Sequence, residues 1–208
     1  MFITLEGSEG SGKTSQIPAL EQYLRAAGYN VLATREPGGT PIGDQIREVL
    51  FNLEHTDMDQ RTEILLFQAS RSQLTQQVIR PYLEAGGVVL CDRYGDSTLA
   101  YQGYGYELDI NQLRTLVNFA TRGLKPDLTL LFDVDIEEGL RRRNRGGDIN
   151  RLDTFKKEFY QRVRQGYLKM AQAEPDRWVV IDANRSFTEV EAEIRQVVSE
   201  RLKIGTAS

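Results

Sequence analysis

The stretch G7-S-E-G-S-G-K-T14 follows the apolar-biased run F2-I-T-L-E6 and precedes a segment with helical spacing. Gly7, Gly12, Lys13 and Thr14 supply the pattern G-x-x-x-x-G-K-[ST]. Each residue type has a physical reason to be there. Glycines let backbone N–H groups turn inward around phosphate oxygens. A lysine at this spacing reaches β- and γ-phosphates, and the threonine hydroxyl can ligate magnesium. The helix that follows adds its positive N-terminal end. A strand before the loop and a helix after it separate a phosphate loop from an ordinary glycine-rich turn. The stretch thus marks a nucleotide-binding protein without choosing the reaction. Its acid, Glu9, is unexplained by phosphate binding.

Outward from this loop, four more apolar runs read as strands: Y29-N-V-L-A-T34, G87-V-V-L-C-D92, L128-T-L-L-F-D-V134 and W178-V-V-I-D182. Near-continuous apolar strands suit a parallel sheet covered on both faces. Ile17, Leu20, Leu24 and Ala27 fall at helical spacing, with Gly28 as a stop. Pro18 deletes one backbone hydrogen bond there and predicts a local bend, not a lost helix. Further helices are expected over 43–51, 61–84, 110–121, 136–143, 154–173 and 188–203. The alternation predicts an α/β fold: a five-stranded, doubly wound parallel sheet with right-handed crossovers, of the P-loop NTPase type. No repeat or linker divides residues 1–208, which read as one domain, and the tail from 205 is expected to fray.

The chain of 208 residues carries a formal net charge of −4, which argues against a duplex-coating nucleic-acid binder. No apolar run approaches the ~20 residues needed to cross a bilayer. The N-terminus lacks the basic and apolar pattern of a signal peptide. One cysteine, Cys91, excludes an internal disulfide framework and fits a reducing, cytoplasmic setting. His55, the one histidine, reads as a surface-loop residue, and no His/Cys cluster has zinc-ligand spacing.

Ligands of open α/β sheets gather outside the carboxyl ends of the strands. After the second run comes R35-E-P-G-G-T40, and after the third D92-R-Y94. Asp92, closing an apolar strand, is placed to order magnesium or Thr14. Arg93 would face an anion in the same crevice; a solvated ion pair is the ordinary alternative. After the fourth run, R141-R-R-N-R-G-G-D-I-N-R151 offers five arginines around a glycine pair. It reads as a flap over about 141–153, able to bring charge to a transferring phosphoryl group and exclude water.

With T34-R-E-P-G-G-T40, F67-Q-A-S-R71, S97-T-L-A-Y-Q102, K125-P-D-L128 and R151-L-D153 added in order, the chain resembles the thymidylate kinases along nearly its whole length. The resemblance implies a nucleoside monophosphate kinase-like fold. It implies transfer of the γ-phosphoryl group of ATP to dTMP, with magnesium, by a cytoplasmic homodimer serving dTTP synthesis. It places Gly7, Ser8, Glu9, Gly10, Ser11, Gly12, Lys13 and Thr14 on ATP, and Thr14 and Asp92 on magnesium. It stacks Phe67 on thymine, hydrogen-bonds Arg71 to the base and clamps the dTMP phosphate with Arg93. Arg35 and Arg47 are weaker candidates for that clamp. Ser97, Tyr101 and Gln102 join the monophosphate site, with Tyr101 as a steric filter against a ribose 2′-hydroxyl. Pro37 bends the 34–40 loop toward that phosphate, Glu9 accepts from the deoxyribose 3′-hydroxyl, and residues 183–185 face adenine. The phosphate loop has no basic residue among Ser8, Glu9, Gly10 and Ser11, so the resemblance is to the bacterial arrangement, in which the flap supplies the arginine. Arg151 is the first choice, with Arg145 and Arg143 after it. The alternatives are another nucleoside or nucleotide kinase and, from a different class, a nucleotide-switch ATP-binding protein.

Overall fold

The computed structural model describes residues 1–145 and 155–204. Five parallel strands lie in the order β2-β3-β1-β4-β5, with β1 at Phe2–Gly7, β2 at Val31–Arg35, β3 at Val88–Asp92, β4 at Leu128–Asp133 and β5 at Trp178–Asp182. All six residues of β1 are buried, as a central strand covered on both faces requires.

Alternation along the strands divides the core into two layers. Ile3, Leu5, Leu128, Leu130 and Phe132 face α1 (Lys13–Ala26) and α9 (Phe187–Leu202), meeting Leu20, Leu24, Ile194 and Val198. On the opposite face, Leu131 packs with Tyr160, Val163 and Tyr167 of α8 (Lys157–Ala173), and Phe2 and Val89 pack with Leu74 and Tyr94. Thr4 and Thr129 share a hydrogen bond of 3.0 Å on that second face, and Glu6 follows Thr4 on the same side. The second layer is therefore partly polar directly beneath the strand ends.

Helix α1 runs unbroken through Pro18. Helix α2 (Pro41–Phe51) begins two residues before the sequence reading, because Thr40 accepts from Gly43 N at 3.0 Å and proline suits the first helical position. The expected long helix over 61–84 is α3 (Gln60–Leu74), a π-helical turn at Thr75–Ile79 and α4 (Arg80–Glu84). After β3 the chain forms an unforeseen helix, α5 (Gly95–Thr98), that continues as a π-helical segment, Leu99–Gly105. Glycines at 95, 103 and 105 hid its periodicity. Helices α6 (Ile110–Thr121) and α7 (Ile136–Arg145) complete the order.

Strand register brings the chemistry together. Leu5 pairs with Asp92, which pairs with Arg35, and Gly7 pairs with Phe132. The start of the phosphate loop, Asp92, Arg93 and Arg35 consequently share one edge of the sheet.

Candidate active site

The phosphate loop closes around its own lysine. Lys13 Nζ donates to Gly7 O at 3.0 Å, Ser8 O at 2.9 Å and Ser11 Oγ at 3.0 Å. All three acceptors are neutral. Burial, reinforced by the charge of Arg93 and opposed by Asp92, Glu9 and Glu6, lowers Lys13 from 10.5 to about 8. A buried cation so placed favours a polyanion. Gly10 has φ +69°, and a Cβ on it would lie 1.9 Å from Gly139 O, so only glycine lets the loop seat against α7. Arg142 and Arg143 of the same helix line the adjoining cleft.

Thr14 Oγ1 donates to Asp92 Oδ2 at 2.5 Å, joining the start of α1 to the end of β3. Both are oxygen ligands. Magnesium at phosphates takes one or two carboxylates, completed by water and phosphate oxygens. The pair fits that need, and among the described residues no cluster of three His, Cys, Asp or Glu competes for a metal.

Arg93 is the hub. Its Nη2 donates to Glu9 Oε1 at 2.9 Å and Tyr101 Oη at 3.0 Å, while Tyr101 Oη donates to Glu9 Oε2 at 2.6 Å. Its Nη1 meets Ser97 Oγ and Tyr167 Oη, both at 3.3 Å. Behind them lies Glu6, fully buried, which accepts from Ser97 Oγ at 2.6 Å, Tyr167 Oη at 2.8 Å and Tyr94 N at 2.8 Å. Burial and then Asp96 push the Glu6 carboxyl up, opposed by Arg93, Ser97 and Tyr167.

Farther along the cleft, Arg71 is buried rather than spread on a surface. Its Nε donates to Glu36 Oε2 at 2.8 Å, Nη1 to Gln68 Oε1 at 2.8 Å and Thr98 Oγ1 at 2.9 Å, and Nη2 to Tyr94 O at 3.1 Å. Burial, against the pull of Arg71, raises Glu36 to about 7. Gln102 Nε2 is held by Glu63 at 2.9 Å. Arg47 donates to Pro37 O at 2.9 Å and lies over Phe51, and the Glu36–Pro37 peptide is cis.

One cleft of about 660 Å³ runs past these elements. Lys13, Thr14 and Asp92 stand with Glu9 and Arg93, while Phe67, Arg71, Glu36 and Gln102 share the same lining. The volume lies within the usual range for small-molecule sites.

A thymidylate kinase family model matches residues 5–194. The chain belongs to the thymidylate kinase family. It is 52% identical to a thymidylate kinase of Deinococcus radiodurans, over 97% of each chain. It is 47% identical to one from Roseiflexus sp. strain RS-1, over 97% of this chain and 95% of that one. The crystal structure of thymidylate kinase from Ehrlichia chaffeensis matches with a TM-score of 0.77 at 36% identity, covering 96% of this chain and 98% of that one.

Within the thymidylate kinase frame, every candidate named from the sequence among the described residues lines the cleft, except Gly7, Ser8, Arg145 and the adenine-facing residues 183–185. Gly7 and Ser8 supply the carbonyls that hold Lys13. Arg151 lies outside the described residues, as does the flap over 146–153. Of the second choices, Arg143 lines the cleft and Arg145 ends α7. Arg142 pairs with Glu138 and donates to Ala183 O at 2.8 Å, tying α7 to the loop after β5. Arg141 also pairs with Glu138, as a solvated helix end should. Asp127 of the K125-P-D-L128 motif accepts from Phe2 N at 2.6 Å, which makes it a brace for β1.

Sequence reasoning missed Glu6, Glu36 and Tyr167. Glu6 reads as one polar residue in a strand, and its alternation with Phe2 and Thr4 was the available signal. Tyr167 comes from a helix 74 positions beyond Arg93, a distance that no local pattern spans.

Proposed function

We infer that the chain transfers the γ-phosphoryl group of ATP to the 5′-phosphate of dTMP, giving dTDP and ADP. The observation that carries this is the single cleft that joins a phosphate loop to an arginine hub and an aromatic-lined end. Lys13 and the loop amides bind the ATP phosphates. Arg93 clamps the acceptor phosphate, with Arg35 and Arg47 nearby, and Phe67 offers a face to the base beside Arg71. In this reading Tyr101, hydrogen-bonded to Glu9, excludes a 2′-hydroxyl, and Glu9 accepts from the 3′-hydroxyl. Thr14 and Asp92 would hold magnesium, which would supply charge neutralisation. In-line transfer then needs positioning and electrostatics, without a covalent intermediate. Residues 1–208 act as one catalytic unit, with 141–153 as the flap and Arg151 as its charge-supplying arginine.

A nucleotide-switch protein needs no second pocket beside its phosphate loop, so the base end of the cleft disfavours that reading. A coupled ADP-release assay over dTMP, dUMP, dCMP, AMP and GMP is expected to favour dTMP strongly. Comparable turnover of AMP would overturn the assignment.

No helix among the described residues is long and apolar enough to cross a membrane, and the proposed setting is the cytoplasm. A homodimer is proposed from the face formed by α2, α3 and α6. It exposes Ile42, Val49, Leu65 and Phe119, the last two by 57% and 84%. Exposed apolar side chains on neighbouring helices are what an interaction surface would use. Sedimentation velocity is expected to show a dimer that Phe119→Glu with Leu65→Glu converts to monomer. A monomeric parent would refute it.

A further inference from the structure

We propose that Glu6 is the positioning residue of the acceptor site: through the hydroxyls of Ser97 and Tyr167 and the amide of Tyr94, it sets the place and orientation of the Arg93 guanidinium. The inference rests on reading Arg93 as the clamp on the acceptor phosphate.

The Arg93 guanidinium has two sets of partners. Glu9 and Tyr101 face the cleft and are the groups assigned above to the deoxyribose, so their bonds to Arg93 exchange as substrate enters. Ser97, which also lines the cleft, and Tyr167 meet the other nitrogen, Nη1, and both are tied to Glu6. Each hydroxyl has a single proton. Both donate to Glu6 Oε2, at 2.6 Å from Ser97 and 2.8 Å from Tyr167. With their protons so placed, the two hydroxyls, themselves 2.9 Å apart, turn lone pairs toward Arg93 Nη1, each at 3.3 Å. The carboxylate therefore sets the polarity of both contacts without touching Arg93 through either of its hydrogen-bonded oxygens.

Glu6 also fixes the backbone. Arg93 has φ 67°, a left-handed conformation uncommon outside glycine. Strain of this kind persists only when surrounding bonds over-determine it. Here Arg93 N donates to Leu5 O at 3.0 Å, Cys91 Sγ donates to Arg93 O at 3.0 Å, and the next amide, Tyr94 N, donates to Glu6 Oε1 at 2.8 Å. Both oxygens of one buried carboxylate thus serve the same arginine, one through its side chain and one through its turn.

Glu6→Gln preserves size but replaces one acceptor with an NH₂ donor. With the NH₂ toward Tyr94 a donor meets the amide; with it toward Ser97 and Tyr167 their protons must turn away from position 6, which undoes the polarity of the contacts to Arg93. Tyr167→Phe removes one link and keeps the ring in its packing. Calorimetric titration with dTMP and, separately, thymidine distinguishes positioning from general damage, because thymidine lacks the phosphate that Arg93 holds. Glu6→Gln is expected to weaken dTMP ~10- to 100-fold, the scale of lost bonds to a charged group, and Tyr167→Phe several-fold less. Thymidine affinity should stay near that of the parent, so the dTMP-to-thymidine preference collapses. Parallel weakening of both ligands, or an unchanged preference in the variants, would overturn the inference. If Glu6→Gln fails to fold, Tyr167→Phe carries the same comparison. A parent protein that binds thymidine as well as dTMP would instead refute the clamp assignment of Arg93 itself.

Discussion

Arg93→Ala is expected to lower kcat for dTMP phosphorylation by ~10³-fold, the scale seen when a cation stabilising a transferring phosphoryl group is removed. The same variant should raise KM for dTMP by ~10-fold or more, since charged hydrogen bonds are worth about 1.5–3 kcal/mol each. Two effects are expected because Arg93 serves both states. It holds the acceptor phosphate in the ground state, and its charge faces the oxygens on which charge develops in the transition state. Affinity for ATP should change little, because Lys13 and the loop amides hold that substrate. Arg93→Lys is expected to recover only a small part of the loss. The planar guanidinium contacts four oxygens, from Glu9, Tyr101, Ser97 and Tyr167. A lysine ammonium is a point charge and cannot hold that fork. Steady-state kinetics in the ADP-release assay test this directly, and turnover within a few-fold of the parent would remove Arg93 from the mechanism.

Lys13→Ala is expected to lower kcat by ~10²- to 10³-fold, as loss of one preorganised charge-stabilising donor does, and to weaken ATP as well. The pH dependence gives a second test. Lys13 is lowered to about 8 in the folded chain, from 10.5. Between those values the unfolded state binds more protons, so Lys13 opposes folding below pH 8, and that opposition fades as pH rises from 8 toward 10.5. Any thermal-stability advantage of Lys13→Met over the parent should therefore narrow across this window. ATP phosphates favour the charged amine, so nucleotide binding above pH 8 should take up protons and weaken as pH rises. Calorimetry in buffers of different ionisation enthalpy reads that uptake; its absence in the parent, or its persistence in Lys13→Met, would assign the proton elsewhere.

Legibility differed between parts of the molecule for physical reasons. The inner strands β1, β3 and β4 were readable because strands covered on both faces must be largely apolar along their length, the edge strands β2 and β5 kept enough of that pattern, and α6 and β5 were placed to the residue. The segment from Gly95 to Gly105 was not, since its helical character depends on packing against α6 and α8 and not on its own glycine-rich spacing. Of the candidate site, Gly7 to Thr14 and Asp92 with Arg93 could be read from short motifs, and Phe67 with Arg71 only through the family resemblance. A phosphate loop is a local device whose chemistry and backbone geometry are contained in eight consecutive residues.

The amino-acid sequence by itself determined the sheet, the phosphate loop and the residue types available at the strand ends, because period, turn chemistry and motif spacing are local properties. Only the tertiary structure decided who serves whom. Strand register put Asp92 within 2.5 Å of Thr14, and the approach of Gly139 to Gly10 set α7 against the loop. Burial put Arg71 into an ion pair with Glu36 instead of on a surface. The same burial turned Glu6, one polar letter in an apolar strand, into the acceptor behind Arg93. A buried carboxylate must collect its donors from wherever the fold supplies them, and here they come from positions 94, 97 and 167.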